Sequence, residues 1–335
     1  MRALVVRLDS FGDVLLAGPA VRAVAAHCSG VTMLCGPRGE PAARLLPGVD
    51  EVIVWSAPWE GVRPPSVREA DVEGLVRRLR QGALDVALVL TSFHQSPLPT
   101  ALLLRMAGVG RIGADSVDHP GTLLDVRHQR LPGRHEVEAA LDTAAAMGFL
   151  PHAGDDGRLR VLPPPDTIAL TGNGPYVVVH PGASAPARAW SPERCAEAVA
   201  LLADAGHRVI VTGGPGETAL TRRVSGDTAV DLGGKTDPRT LAGVLRTADA
   251  VVCGNTGPAH LAAAVGTPVV SLFAPVVPAE RWAPYGVPSV VLGDQAAPCA
   301  DSRARHCPVP GHPCLEEVTG QDVVQAVRKL LKERA

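Results

Sequence analysis

Short, nearly continuous apolar runs alternate along this chain with stretches in which apolar residues recur every three or four positions. The first pattern marks strands buried on both faces, the second amphipathic helices. Strands are expected at Ala3–Leu8, Val31–Cys35, Val52–Val54 and Val86–Leu90. Helices are expected from about Val14 to Ala26, over Arg68–Arg80 and over Leu98–Ala107. The alternation restarts after Asn173-Gly174-Pro175 with strands at Tyr176–His180, Arg208–Thr212, Ala250–Cys253 and Val269–Phe273. Helices fall between them at about Pro192–Ala205, Glu217–Val224 and Pro238–Thr247, with another beginning at Pro258 and a closing amphipathic helix at Gln321–Lys332. Ser191 is placed to cap its helix and Gly206 to stop it.

Strands alternating with helices predict a parallel α/β architecture. The Pro-rich stretch Leu162–Asp166 separates the two series and reads as a linker. The expected fold is therefore two Rossmann-like domains, over residues 1–165 and 166–335. This matches the GT-B architecture, in which the two domains face each other across a cleft. The closing helix is free in this reading to pack back on the first domain. Ligands of such sheets bind beyond the C-terminal ends of the strands.

Composition narrows the function classes. The 335 residues are 46% hydrophobic and 20% charged, with a net charge of -2. Near-neutral charge and 3% aromatic residues argue against a nucleic-acid surface. The apolar N-terminal run is too short for a signal peptide, and Asn255, His260 and four prolines interrupt the uncharged stretch Ala250–Ala279. A cytoplasmic protein is expected, with peripheral membrane proximity at most. No G-x-G-x-x-G follows the first strand, which disfavours a dehydrogenase.

Four segments carry candidate chemistry. In Ser10-Phe11-Gly12-Asp13-Val14, Gly12 permits a tight turn and Asp13 opens a helix. Asp13 there is either a general base or a helix-capping acid. In His180-Pro181-Gly182-Ala183, Gly182 would leave backbone amides open to a phosphate. In Thr212-Gly213-Gly214-Pro215-Gly216-Glu217, the glycines admit a ligand, and Glu217 is either a ribose-binding carboxylate or a first-turn helix acid. In Cys253-Gly254-Asn255-Thr256-Gly257-Pro258-Ala259-His260, Thr256 is suited to capping the helix that begins at Pro258, whose N-terminus forms an anion site for a diphosphate. His260 either bonds the ligand there or is a core histidine.

These segments resemble glycosyltransferase family 9, which includes the bacterial ADP-heptose heptosyltransferases. The first is similar to the family's S-x-G-D-[VI] followed by an L-P-A-type segment, here Gly18-Pro19-Ala20. The last is similar to D-[ST]-G-P-x-H-L-A-A. The resemblance implies that Asp13 is the general base and leaves Asp9 as a surface or turn residue. It places Arg188 of Arg188-Ala189-Trp190 at the position of a phosphate-binding lysine, and Glu217 at a nucleotide-recognising glutamate. It puts Asn255 where the family has a sugar-binding aspartate, which leaves the donor sugar open. Ser92-Phe93-His94-Gln95, Gly108–Gly113 and His135-Glu136-Val137 also look family-like. On that likeness Ser10, Gly12, His94, Gln95 and His135 face the acceptor.

The expected activity is metal-independent, inverting transfer of a sugar from a nucleotide-sugar donor, ADP-heptose first. The acceptor is a hydroxyl of a cell-envelope glycan or a secondary metabolite. No cofactor is expected, and Gly154-Asp155-Asp156-Gly157 reads as a turn rather than a metal motif. A different nucleotide-hexose donor, or a non-catalytic nucleotide-binding protein, are the alternatives. Cys299, Cys307 and Cys314, with His306 and His312 nearby, form a structural loop, a metal or redox site, or an acceptor contact. Their spacing is not that of a compact zinc motif.

Overall fold

The computed structural model describes residues 1–333. The chain divides at the Leu162–Pro163 bond into two compact units. The first holds a six-stranded sheet of β1 (Arg2–Arg7), β2 (Gly30–Cys35), β3 (Glu51–Val54), β4 (Val86–Val89), β5 (Arg111–Asp115) and β6 (Val126–His128). All pairings are parallel, in the order β3-β2-β1-β4-β5-β6. The second holds β7 (Val177–His180), β8 (Val209–Val211), β9 (Val230–Asp231), β10 (Ala250–Gly254), β11 (Val269–Leu272) and β12 (Ser289–Leu292). It repeats the arrangement as β12-β11-β10-β7-β8-β9, again parallel throughout. This is the Rossmann strand order, twice.

The central strands are the apolar runs, because both faces of a parallel sheet are covered by crossover helices. Leu4 and Val6 of β1 pack with Ala87 and Val89 of β4 in the core of the first unit. Val177, Val179 and Val252 occupy the same place in the second. In each sheet the chain reverses direction of winding between two neighbouring strands, β1 and β4 in one and β7 and β10 in the other. There the loops leave in opposite directions and a crevice opens.

The first expected helix is two helices, Phe11–Leu16 and Gly18–Ala25. Pro19 lacks the amide that would continue the ladder, so the chain turns at Ala17. Elements with weak patterns were not foreseen. Gly30–Cys35 has one polar residue in its apolar run, but β12 alternates exposed and half-buried positions, and β9 has two residues. The helix Glu136–Ala146 is alanine-rich and shows little contrast between faces. The closing helix Gly320–Lys332 lays Val323, Val324, Val327 and Leu330 into the core of its own unit. No helix among the described residues is long and apolar enough to cross a membrane.

Candidate functional site

In the first unit, the switch point is filled by charge. Arg7 ends β1 with a side chain 3% exposed. Its Nη2 lies 2.8 Å from Asp9 Oδ2, 3.3 Å from Glu136 Oε2 and 3.4 Å from Asp13 Oδ1, and donates to Ser92 Oγ at 2.8 Å. Burial opposes the guanidinium's charge, but Asp9, Glu136 and Asp13 more than offset it, so its pKa is raised. Asp13 stands third in the helix Phe11–Leu16, with Ser10 as its N-cap residue. Its Oδ2 accepts from Ser10 Oγ at 2.6 Å and Ser10 N at 3.3 Å. Capping and a role in catalysis are thus compatible for Asp13: one oxygen ties down the helix start, and the side chain keeps some solvent access.

Asp9 corrects the sequence reading. It is buried rather than a surface residue, with Oδ2 accepting from Ser92 Oγ at 2.9 Å and Oδ1 from Gln95 Nε2 at 2.8 Å. Burial raises its pKa despite Arg7. The same Gln95 amide donates to Glu60, whose carboxyl is pushed up to about 7 by burial and then by Asp9. Gln95 and Ser92 therefore join Ser10, Gly12 and Asp13 in one cluster. His94 is exposed, edge-on to Phe93 with ring centroids 5.3 Å apart. His135 is buried and caps the helix Glu136–Ala146, its Nδ1 accepting from Val137 N at 3.2 Å. Asp155 of the turn-like Gly154–Gly157 pairs with Arg22 at 2.7 Å.

Arg7 and Glu60 were not singled out from sequence, and neither Asp9 nor Glu136 was given a role in the site. An arginine closing an otherwise apolar central strand was the available signal, since such a charge is buried only with partners. Glu60 and Glu136 carry no local signal, because the fold alone brings them to Arg7.

In the second unit the switch point combines glycines with buried polar side chains. His180 ends β7 and is paired in register with Cys253 of β10. It is buried, with Nδ1 3.0 Å from Thr212 Oγ1 and Nε2 3.9 Å from Glu217 Oε2. Burial lowers its pKa, outweighing the pull of Glu217, so the ring is held neutral. Glu217 Oε2 accepts from Gly214 N at 2.7 Å, and its Oε1 lies against Gly182. A Cβ at Gly182 would come within 1.9 Å of that oxygen, so the glycine is what admits the carboxylate. Gly213 packs on Thr221, where a Cβ would come within 2.5 Å of Cγ2.

On the other side, β10 runs into Asn255 and the helix Gly257–Ala264. Thr256 holds the N-cap position, but its hydroxyl donates to Gly254 O at 3.4 Å and does not cap the helix. This corrects the expected cap and leaves the helix N-terminus without a side-chain partner, the arrangement that favours an anion. Asn255 is 4% exposed and its Nδ2 has no hydrogen-bond partner. A buried orphaned donor costs about 1–3 kcal/mol, which a ligand oxygen would recover. His260 is buried in the first turn of the helix.

Arg188 lies half-buried in the tight turn Pro186–Arg188, and its carbonyl would meet a Cβ at Gly254 at 2.8 Å. That turn is braced by the cysteine-bearing loop. Ala187 N donates to Arg305 O at 2.9 Å, His312 Nε2 lies 3.1 Å from Ala187 O, and Trp190 Nε1 donates to Leu315 O at 3.0 Å. Cys299 and Cys314 are buried in the core, and Cys307 packs against it. Burial, then Cys299 and Cys307, push the Cys314 thiol up to about 12, away from reactivity. Among the described residues, no three His, Cys, Asp or Glu side chains are arranged to hold a metal ion. The loop is thus a packing element that supports Arg188.

Comparison with known proteins places this geometry in context. The family model described as glycosyltransferase family 9 (heptosyltransferase) matches residues 72–312. Lipopolysaccharide heptosyltransferase 1 of Pseudomonas aeruginosa is 29% identical, covering 98% of this chain and 90% of that protein. Among solved structures, Escherichia coli ADP-heptose lipopolysaccharide heptosyltransferase II aligns with a TM-score of 0.76 at 20% identity, over 100% of both chains. Escherichia coli heptosyltransferase WaaC with ADP-2-deoxy-2-fluoro heptose aligns with a TM-score of 0.72 at 22% identity, also over 100% of both.

Proposed function

The chain belongs to glycosyltransferase family 9, and on that premise we propose that it transfers a heptose from ADP-heptose to a hydroxyl of a cell-envelope glycan, with inversion at the anomeric carbon and without a metal. The relatives named for ADP-heptose and lipopolysaccharide support the donor and the acceptor class. The observation that carries the reading is the cradle between β7 and β10. It combines an uncapped helix N-terminus, the buried orphaned amide of Asn255 and a half-buried arginine. Those groups suit a nucleoside diphosphate, whose negative charge grows as it leaves.

In the proposed reaction, Asp13 accepts the proton of the acceptor hydroxyl. The hydroxyl oxygen bonds to the anomeric carbon as the bond from that carbon to the diphosphate oxygen breaks. ADP departs with the electron pair, held by Arg188 and the backbone amides near Gly257. Glu217 Oε1 would accept from a ribose hydroxyl, while Oε2 remains bonded to Gly214. Asn255 would donate through Nδ2 to the donor. An amide offers both a donor and an acceptor where a carboxylate offers acceptors alone, so Asn255 is the residue at which sugar choice is decided.

Mass spectrometry of the products formed from a panel of nucleotide sugars and acceptors tests the reading. Transfer from ADP-heptose is expected. Transfer only from a hexose donor would replace the donor assignment, and ADP binding with no turnover on any donor would replace the enzymatic one.

A further inference from the structure

The proposed base does not stand alone, and what surrounds it is more than a surface requires. Five groups converge on the end of β1. Arg7 comes from the strand, Asp9 and Asp13 from the following turn and helix, Ser92 from the loop after β4, and Glu136 from the helix Glu136–Ala146. Three carboxylates share one guanidinium nitrogen. Glu136 is 1% exposed and is held from behind by Arg130, whose Nε pairs with Asp115 at 3.1 Å and whose Nη2 donates to Thr91 O at 3.1 Å. A chain of alternating charge thus runs Asp13, Arg7, Glu136, Arg130, Asp115. An isolated buried arginine would be costly, and this network is the condition for its burial. Of the three carboxylates on Arg7, Asp9 and Glu136 are buried and Asp13 is the one partly exposed to solvent, and so able to meet a substrate.

We infer that Arg7 is a positioning residue for transfer: it holds the Asp13 carboxylate ionised and fixed in direction, and Glu136 sets how much of its charge Asp13 receives. The inference rests on Asp13 being the base. A cation near a carboxylate favours the ionised form, and a competing anion on that cation weakens the effect. The groups around Asp13 that contribute are Arg7, Asp9 and Glu136, with Glu60 beyond Gln95 and Arg38 near Glu60. Ser10 and Ser92 are the neutral partners.

The two ends of the chain should move the pH profile in opposite directions. In Arg7→Met, the acid limb of the kcat/KM profile should rise by about one pH unit, because the base loses its cation. Glu136→Gln keeps the shape of the side chain but frees Arg7 to act on Asp13, so the limb should move to lower pH. Arg7→Lys should return the limb toward its wild-type position while kcat stays reduced, since lysine restores the charge but not the fork. KM for the donor should be unchanged in all three. A purely structural role gives no reason for opposite shifts. Arg7→Met leaves buried carboxylates unpaired, so if it does not fold, Glu136→Gln and Arg7→Lys carry the test. An acid limb that stays in place in folded Glu136→Gln overturns the inference. Asp13→Asn separates the two ideas: if it keeps turnover, the base assignment fails, and if it is inactive while the limb never moves, only the role of Arg7 fails.

Discussion

The two sheets share one strand order, yet their switch points are built from opposite materials. Between β1 and β4 the crevice is packed with charged side chains, one guanidinium, Arg7, facing three carboxylates, Asp9, Asp13 and Glu136, with Ser92 and Gln95 bridging. Between β7 and β10 it is lined by glycines, an uncapped helix end and an orphaned amide. A dense network of ion pairs and hydrogen bonds holds its members in place, which suits a group that must be aimed. A cradle with unmet hydrogen bonds gains from a ligand and suits binding. The same topology thus yields a dense charge network in one unit and a glycine-bearing switch point with an unpartnered amide in the other.

The comparison breaks first at Asp13. Asp13→Ala should lower turnover by about 100-fold or more, in the range typical of a lost general base, while ADP affinity by calorimetry stays within twofold. Loss of ADP binding in this variant would mean that the first unit also captures the nucleotide.

Arg188→Ala should have the reverse signature, weakening ADP about tenfold through a lost charge-assisted contact. The difference should shrink as salt is raised. An ADP affinity equal to wild type would remove Arg188 from the cradle.

Gly182→Ala sharpens the account of how the cradle is shaped. The new Cβ must displace the Glu217 carboxylate from 1.9 Å, so nucleotide affinity should fall a few-fold. In a Glu217→Ala background the same change should have almost no further effect, because the two residues act through one contact. Additive losses would show that Gly182 touches the ligand by itself.

The smallest effect is on stability against pH, and it has opposite signs in the two units. Glu60 has a folded pKa of about 7 against an ordinary 4.5, so the folded state binds its proton more tightly. Stability should therefore fall as pH rises from about 4.5 to 7. His180 has a lowered pKa against an ordinary 6.5, so its contribution is present above 6.5 and lost as pH falls below it. Melting curves across pH 4.5–8 should show Glu60→Gln flattening the first slope and His180→Asn the second. Unchanged slopes in both would mean that neither group is held as its surroundings suggest.

Legibility from sequence followed the same divide. Apart from Arg188, which the family resemblance supplied, the second unit's candidate residues sit in three short segments where local chemistry shows through: a glycine after a strand, an acid after a glycine run, a proline in a first helical turn. The structure places His180, Gly182 and Asn255 at or just beyond strand ends, and the hydroxyl of Thr256 turns to Gly254 instead of capping its helix. In the first unit, Asp13 was visible beside its own glycine. Asp9 was misjudged, because nothing within four residues of it shows that Ser92 and Gln95 will arrive from another strand. Elements were missed for a similar reason. β12 and the alanine-rich helix Glu136–Ala146 owe their state to the neighbours that cover them, not to their own periodicity.

The amino-acid order by itself determined the alternation of strand and helix, the parallel α/β class, and the glycine-bearing turns that follow strands of the second unit. Each of these depends on residues within one turn or one strand of each other, where backbone preference and apolar spacing act directly. Tertiary structure alone decided which charges meet. Arg7, Glu60 and Glu136 lie far apart along the chain, and whether a charge is buried, paired or exposed depends on what the completed sheet brings within a few ångströms of it.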